Sequence, residues 1–258
     1  MNGELLHLVI LPRYLCRVPF MIHWLFQSAA ELPAEAHLLS SLSEEEGAAL
    51  ARYTVPKRRA DWLLGRWTAK QLVQDYLRRQ GGDDLPLNQI VVLADPDGAP
   101  FVSLAFGSAE ARRLERLPVS LSISHSHGHA LCALCAEPGA TVGADLELIE
   151  ARDPSFTADF FTPAEQAAVA AAPEHLRATH VTALWSAKEA VLKALREGLR
   201  VDTRQVETAL PAVLAEEWSP LEIALDGKLA VRHPGVWSGW GRRREGFVLT
   251  TALCLPAV

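Results

Sequence analysis

Two stretches of this sequence carry carboxylates and cations at spacings that could do chemistry. In Val142-Gly-Ala-Asp-Leu-Glu147, the apolar Val142, Ala144, Leu146 and Leu148 alternate with Gly143, Asp145 and Glu147, which is a strand pattern. Both carboxylates therefore leave the same face, about 7 Å apart. In Trp185-Ser-Ala-Lys-Glu-Ala-Val-Leu-Lys193, the residues Leu184, Ala187, Val191 and Leu195 recur at helical spacing as one apolar stripe. Glu189 and Lys193 lie four apart on another face, with Arg196 beside them. Lys188 falls nearer the apolar stripe, so its ammonium has to snorkel to reach water or a ligand. Two carboxylates on a strand and a third on a helix could clamp one hard divalent cation. Magnesium suits that oxygen set and keeps places for water and substrate phosphate. Such a constellation fits phosphoryl transfer. The plain structural alternative is an ordinary Glu189–Lys193 helix pair worth about 0.3–0.5 kcal/mol, with Asp145 and Glu147 facing solvent.

The elements that must position these groups can be followed along the chain. Ser43-Glu-Glu-Glu46 is a capping box that opens a helix. Val55-Pro-Lys-Arg-Arg59 breaks it and launches a longer helix through Trp62, Trp67, Leu72 and Leu77, stopped by Gly81-Gly-Asp-Asp84. Lys57, Arg58, Arg59, Arg66 and Lys70 give that helix a basic entrance, either a solvated charge cluster or a phosphate contact. Asn88–Leu93 reads as a strand, Asp95-Pro-Asp-Gly98 as a turn and Phe101–Leu104 as the partner strand. Ala109 to Leu117 reads as a surface connection. Ser122-Ile-Ser-His-Ser-His-Gly-His129 places three histidines at alternate positions. On one strand His125 and His129 would stand about 13 Å apart, too far to share a zinc ion with bonds near 2 Å, although a bend at Gly128 would relax this. Thr162-Pro-Ala-Glu165 starts another helix, and roughly Leu176 to Glu197 forms the one carrying Glu189. Leu221–Leu225, Asp226-Gly227 and Lys228–Val231 read as a hairpin, and Phe247–Leu253 as a last buried strand. The two halves repeat one order: long helix, strand, Asp-Gly turn, strand. The expected class is α+β, a pseudo-duplicated two-lobe structure with each lobe a helix packed on an antiparallel sheet.

Composition narrows the function classes. The chain has 258 residues, 49% hydrophobic and 22% charged, an ordinary globular balance large enough for one domain or two small ones. Its net charge of −6 argues against a nucleic-acid protein, which needs a basic footprint. Cys132 and Cys135 fall in an apolar strand-like run that sends their sulfurs to opposite faces, and no second pair completes a zinc site. Buried reduced thiols suit a cytoplasmic protein. No segment approaches the roughly 18 uninterrupted apolar residues of a membrane span. Val18–Phe26 follows Arg13 and Arg17 as in a signal peptide. However, Glu4 precedes it, His23 interrupts it and no small-residue cleavage site follows.

Gly143-Ala-Asp-Leu-Glu147, Trp185-Ser-Ala-Lys-Glu-Ala-Val-Leu-Lys193 and Ser122-Ile-Ser-His-Ser126, in this order and spacing, resemble the signature of the 4′-phosphopantetheinyl transferases. The resemblance is to the long single-chain, surfactin-synthetase-activating type, and it runs from about Met21 to the C-terminus. It implies a first strand at Ile22–Leu25 and a division into an extension (1–20), an N-terminal lobe (21–140) and a C-terminal lobe (141–258) with the signature. Translation from Met21 is the alternative start. It also implies an active site in a cleft between lobes, and transfer of 4′-phosphopantetheine from coenzyme A to a serine of an apo acyl or peptidyl carrier protein by a cytoplasmic monomer. By resemblance Asp145, Glu147 and Glu189 bind Mg²⁺, and Glu189 also takes the serine proton. Lys193 stabilises phosphate charge, while Lys188 contacts the coenzyme and orients the carboxylates. Lys57, Arg59, Gly98, Ser124 and His125 are the remaining coenzyme contacts. The family commonly has Gly-Lys-Pro where this chain has Gly98-Ala-Pro100, which leaves more of the nucleotide grip to Lys57 and its neighbours. It also often has Gly-x-Gly where this chain has Arg196-Glu-Gly198. Arg242-Arg-Arg244 could meet an acidic carrier, or simply be solvated in a loop. Two other classes share the carboxylate pattern: a Mg²⁺-dependent phosphodiester hydrolase, and a catalytically silent protein that binds carrier or coenzyme.

Overall fold

Alternating apolar strands and two long amphipathic helices assemble into two compact units, residues 1–138 and 139–258, in the computed structural model. The structure describes residues 6–10, 20–107 and 111–257. Among these, no helix is long and apolar enough to cross a membrane.

The first unit runs β1 (Leu6–Ile10), β2 (Phe20–Ser28), α1 (Glu35–Ser40), α2 (Glu44–Leu50), α3 (Pro56–Arg79), β3 (Ile90–Ala94), β4 (Pro100–Phe106), β5 (Arg113–Arg116), β6 (Ser120–Ser126) and β7 (His129–Cys135). Its strands form two antiparallel sheets, ordered β1-β2-β7-β6 and β3-β4-β5. The core lies where α3 buries Ala69, Leu72 and Val73 against Leu25, Ile90 and Leu134 from both sheets. Pro56 at its first position needs no N–H partner there and sets the entry of α3. Gly65 lets the helix settle on the sheet, since a Cβ there would stand 3.1 Å from Ile123 Cγ2. Part of the segment expected to be an extension therefore forms a strand, because β1 pairs with β2 from Leu6↔Trp24 to Ile10↔Phe20.

Three expectations change in this unit. Residues 122–129 are not one strand: His127 (φ 47°) and Gly128 (φ 73°) make a two-residue hairpin turn that joins β6 to β7. The Ala109–Leu117 connection contains β5, which extends the β3–β4 hairpin. Lys70 does not belong to a basic entrance. It is fully buried, paired with Glu46 and donating to the carbonyls of Ser41 (2.6 Å) and Leu87 (3.1 Å).

The second unit runs β8 (Thr141–Leu148), α4 (Pro154–Phe160), α5 (Pro163–Ala171), α6 (Glu174–Ala194), β9 (Val206–Ala209), β10 (Ser219–Leu225), α7 (Gly227–Arg232), β11 (Val236–Arg244) and β12 (Phe247–Leu255). One antiparallel sheet, ordered β8-β12-β11-β10-β9, carries α6 on one face. Val191, Leu192 and Ala190 of α6 are fully buried with Val206, Leu229 and Ala252. A Leu-to-Ala change at such a site costs about 2–5 kcal/mol.

Here the Asp226-Gly227 hairpin is corrected. Asp226 is an N-cap that accepts from Leu229 N at 2.8 Å, so Lys228–Val231 lies in helix α7, and β10 pairs instead with β9 and β11. An Asp-Gly pair also reads as a helix start when the glycine keeps an ordinary φ, as Gly227 does. Arg242, Arg243 and Arg244 belong to strand β11 rather than to a loop, with Arg243 Nε bonded to Leu214 O at 2.6 Å.

Both units are thus α+β, each with its long helix laid on antiparallel sheet. Each also repeats a smaller device: a capping box (Ser43 to Glu46, Thr162 to Glu165) whose glutamate meets a fully buried lysine of the long helix (Lys70, Lys188).

Candidate active site

The strand β8 is the edge of its sheet, and its alternation turns Gly143, Asp145 and Glu147 toward α6. Gly143 sets how close the two elements come. A Cβ at that position would stand 1.8 Å from Ala190 O and 2.8 Å from Ala194 N, so only glycine admits the helix backbone. Along α6, Trp185, Glu189 and Lys193 follow at four-residue intervals and share one face. Trp185 Nε1 donates to Glu147 Oε1 at 3.1 Å, and Lys193 Nζ donates to Asp145 Oδ1 at 2.6 Å and to Ala144 O at 3.1 Å. Glu189 lies between those two contacts. Phe156 and Phe160 of α4 meet the Trp185 ring edge to face, each with centroids 5.0 Å away, and fix its orientation. Just past the end of β8, Arg152 completes the cluster: its Nη2 lies 3.0 Å from Glu147 Oε2, and its guanidinium stacks over Phe156.

The electrostatics follow from crowding three carboxylates into a half-buried place. Burial, and then the neighbouring Asp145 charge, push Glu147 above its ordinary carboxylate pKa against the pull of Arg152 and the Trp185 hydrogen bond. Burial and Asp145 likewise raise Glu189, with Glu147 adding to the rise and Lys193 opposing it. Glu189 therefore feels both strand carboxylates, so the three form one interacting group. Asp145 is only 4% exposed, so it does not face solvent as the plain structural alternative for this strand has it.

In the first unit, the Lys57 side chain is exposed at the start of α3, and Arg59 two residues on pairs with Glu35 at 3.4 Å. His125 is exposed on β6 and its ring leans on α3 at Gly65. Ser124 is buried and points to the opposite face of the strand from His125. Gly98 sits at the tip of the β3–β4 hairpin with φ 92°, its N–H bonded to Asp95 O at 2.8 Å. The three histidines do not converge. His129 stacks on Phe26 and engages His127 O through Nδ1 at 3.0 Å.

A family profile described as the 4′-phosphopantetheinyl transferase superfamily matches residues 141–233, a span that holds β8, α6 and every side chain of the carboxylate cluster. The 4′-phosphopantetheinyl transferase HetI of Nostoc sp. is 28% identical over 211 residues, covering 79% of this chain and 82% of that protein. Over residues 141–233 the chain is thus similar to the 4′-phosphopantetheinyl transferase superfamily. Among solved structures, the holo-[acyl-carrier-protein] synthase (AcpS) from Neisseria meningitidis aligns with 44% of this chain and 96% of its own, at 18% identity and a TM-score of 0.37.

In the structure the expected site residues separate into two groups. Asp145, Glu147, Glu189 and Lys193 come together. Lys188 does not join them: it is 0% exposed, paired with Glu165 at 2.8 Å and donating to Thr203 O at 2.9 Å and to Val206 O. Its ammonium does not snorkel, because a buried carboxylate and two carbonyls satisfy it inside the core. The assignment of Lys188 to the coenzyme is therefore corrected.

Residue types alone did not reveal Arg152, which lies outside any periodic element, or the hydrogen bond from Trp185. The latter had a signal, since Trp185 precedes Glu189 by one helical turn. Among the described residues, no three His, Cys, Asp or Glu side chains close around a point as a complete metal cage. The donor chemistry nonetheless fits magnesium, which commonly uses one or two carboxylates and completes its shell with water and substrate phosphate. Lys193 and Arg152 now supply positive charge to two of the three carboxylates.

Proposed function

We propose that this protein moves 4′-phosphopantetheine from coenzyme A to a serine hydroxyl of an apo acyl or peptidyl carrier protein, breaking the pyrophosphate bond and releasing adenosine 3′,5′-bisphosphate, with Mg²⁺ held by Asp145, Glu147 and Glu189. The observation that carries this is the convergence of three mutually repelling carboxylates with Lys193 where α6 crosses β8. Bound Mg²⁺ would neutralise pyrophosphate charge and align an in-line displacement. Glu189 accepts the serine proton. Burial and the two strand carboxylates raise its pKa, which makes it a stronger base than an ordinary carboxylate. Lys193, released from Asp145, places its ammonium against the phosphates. Trp185, wedged by Phe156 and Phe160, holds Glu147 in its rotamer through the indole N–H. The exposed cations at the start of α3 and His125 bind the nucleotide end of coenzyme A. The free thiols of Cys132 and Cys135, both buried, suit the reducing cytoplasm.

Mass spectrometry of an apo carrier protein incubated with the enzyme, coenzyme A and Mg²⁺ tests this directly. A covalent gain of one phosphopantetheine group, abolished by chelation and restored by Mg²⁺, is the expected result. Coenzyme A cleaved with the carrier unmodified would point to hydrolysis instead, and full modification in chelator would remove the metal from the scheme.

A further inference from the structure

Lys188 is adjacent to Glu189 in sequence yet faces away from the carboxylates, into the core. There the Lys188–Glu165 pair ties three elements at one point. Glu165 Oε2 caps α5 through Thr162 N at 2.8 Å, and Oε1 accepts from Thr208 N at 2.8 Å and from Thr208 Oγ1 at 3.1 Å on β9. Lys188 holds the middle of α6 to Thr203 O and Val206 O on and beside the same edge strand.

The first unit shows the same lock. Glu46 Oε2 caps α2 through Ser43 N at 2.9 Å, and Oε1 accepts from Val92 N at 3.0 Å on the edge strand β3. Lys70 ties α3 to the carbonyls of Ser41 and Leu87. In both units the residue after the lysine is turned, about 100° round the helix, toward the sheet that the helix lies on. After Lys70 it is Gln71, hydrogen-bonded to Gln27 of β2 at 2.9 Å. After Lys188 it is Glu189, set among Asp145, Glu147 and Lys193. The scaffold is duplicated, and at the position after the lysine the first copy carries the amide Gln71 and the second the carboxylate Glu189.

We infer that the buried Lys188–Glu165 pair is a positioning device that fixes the rotation of α6 about its axis and so aims Trp185, Glu189 and Lys193 at β8. A helix seated on an apolar face alone tolerates sliding and turning. A fully buried ion pair with every donor and acceptor placed does not, because any displacement leaves a charge unsatisfied in the core. Lys188 and Glu165 touch no reacting atom and act through Glu189. The functional consequence rests on the proposed role of Glu189 as a metal ligand, whereas the geometric consequence does not.

The test compares Glu165→Gln/Lys188→Met with Glu46→Gln/Lys70→Met, each pair neutralised together so that no lone charge stays buried. Two quantities are read. One is the Mg²⁺ concentration that gives half of the metal-induced rise in Tm. The other is the Trp185 indole N–H resonance of ¹⁵N-labelled protein, assigned by its loss in Trp185→Phe. Both double variants should lose thermal stability to a similar degree. Only Glu165→Gln/Lys188→Met should shift the Trp185 resonance and raise the Mg²⁺ midpoint, by about tenfold, as for other groups that orient metal ligands. If that variant fails to fold, Glu165→Asp, which keeps the pair charged but shortens its reach, is read the same way with smaller shifts. Wild-type values for both quantities in the second-unit variant would overturn the inference. So would equal shifts in both double variants, since the effect would then be general loosening. A Trp185 shift confined to the second-unit variant, with no Mg²⁺ response even in the wild type, would uphold the positioning and defeat the metal assignment alone.

Discussion

Glu147 and Glu189 both stand above the ordinary carboxylate range for the same two reasons, burial and the charge of Asp145. Their folded pKa values exceed the unfolded ones. Each therefore contributes stability that is present below the ordinary carboxylate pKa and lost as pH rises through the raised value. Glu189→Gln removes that loss, so in metal-free solution its Tm should exceed wild type at pH 7.5, and the gain should vanish by pH 4. Thermal melts across that range check the sign, and a variant less stable at pH 7.5 would contradict it. Catalytically the same change should be severe. Base catalysis is worth roughly 10²–10⁴-fold, and added Mg²⁺ should not recover it. Glu147→Gln keeps an oxygen ligand, so high Mg²⁺ should restore part of its rate. Complete rescue of Glu189→Gln by metal would reduce Glu189 to a ligand. Lys57, exposed at the helix start, should act on binding alone: Lys57→Ala is expected to raise KM for coenzyme A several-fold while kcat changes little.

At the scale of elements, the site depends on how closely α6 approaches β8, and Gly143 controls that distance. Gly143→Ala places a methyl on the carbonyl of Ala190, which forces the backbones apart. Overpacking of this kind costs about 1–3 kcal/mol or more. It should also separate Lys193 from Asp145 and Trp185 from Glu147, so activity should fall further than the lost stability explains. Measuring kcat well below the melting transition distinguishes the two effects. Activity retained in full there would show that the approach is not needed for chemistry. The hairpin turn between β6 and β7 is a milder case. Gly128→Ala imposes a side chain at φ 73°, costs about 1 kcal/mol, and should leave kcat intact.

At the scale of the whole chain, each unit has its own antiparallel sheet structure, long helix and buried lysine–glutamate pair, and the carboxylate cluster lies in the second. The first strand described, β1, lies on the outer edge of the four-stranded sheet, and β2 keeps β7 on its other side. Removing residues 1–20 should therefore leave a folded, active enzyme with a Tm lowered by a few degrees. A truncated chain that does not fold would make β1 an essential part of the sheet.

Local pattern was enough wherever the cause was local. The capping boxes at Ser43 and Thr162, the alternation of β8 and the stripe of α6 depend on residues within a few positions of one another, and all were legible in the sequence. The order of three short motifs pointed to the family, because their residue types serve one reaction. Spacing also put Glu189 and Lys193 on one helical face. It could not say which way that face turns. Lys188 looked like a ligand contact because an isolated lysine prefers water, and its partner Glu165 lies far away along the chain. Asp226-Gly227 looked like a hairpin because the same dipeptide serves a turn or a helix cap, and the packing of α7 under the sheet chose the cap. Arg152 reached Glu147 only because the chain bends back after β8. For Lys188 and for Asp226-Gly227 the deciding energy came from burial against residues distant in sequence. Only the tertiary structure brings those residues into contact and settles which polar groups are satisfied inside and which are left facing a substrate.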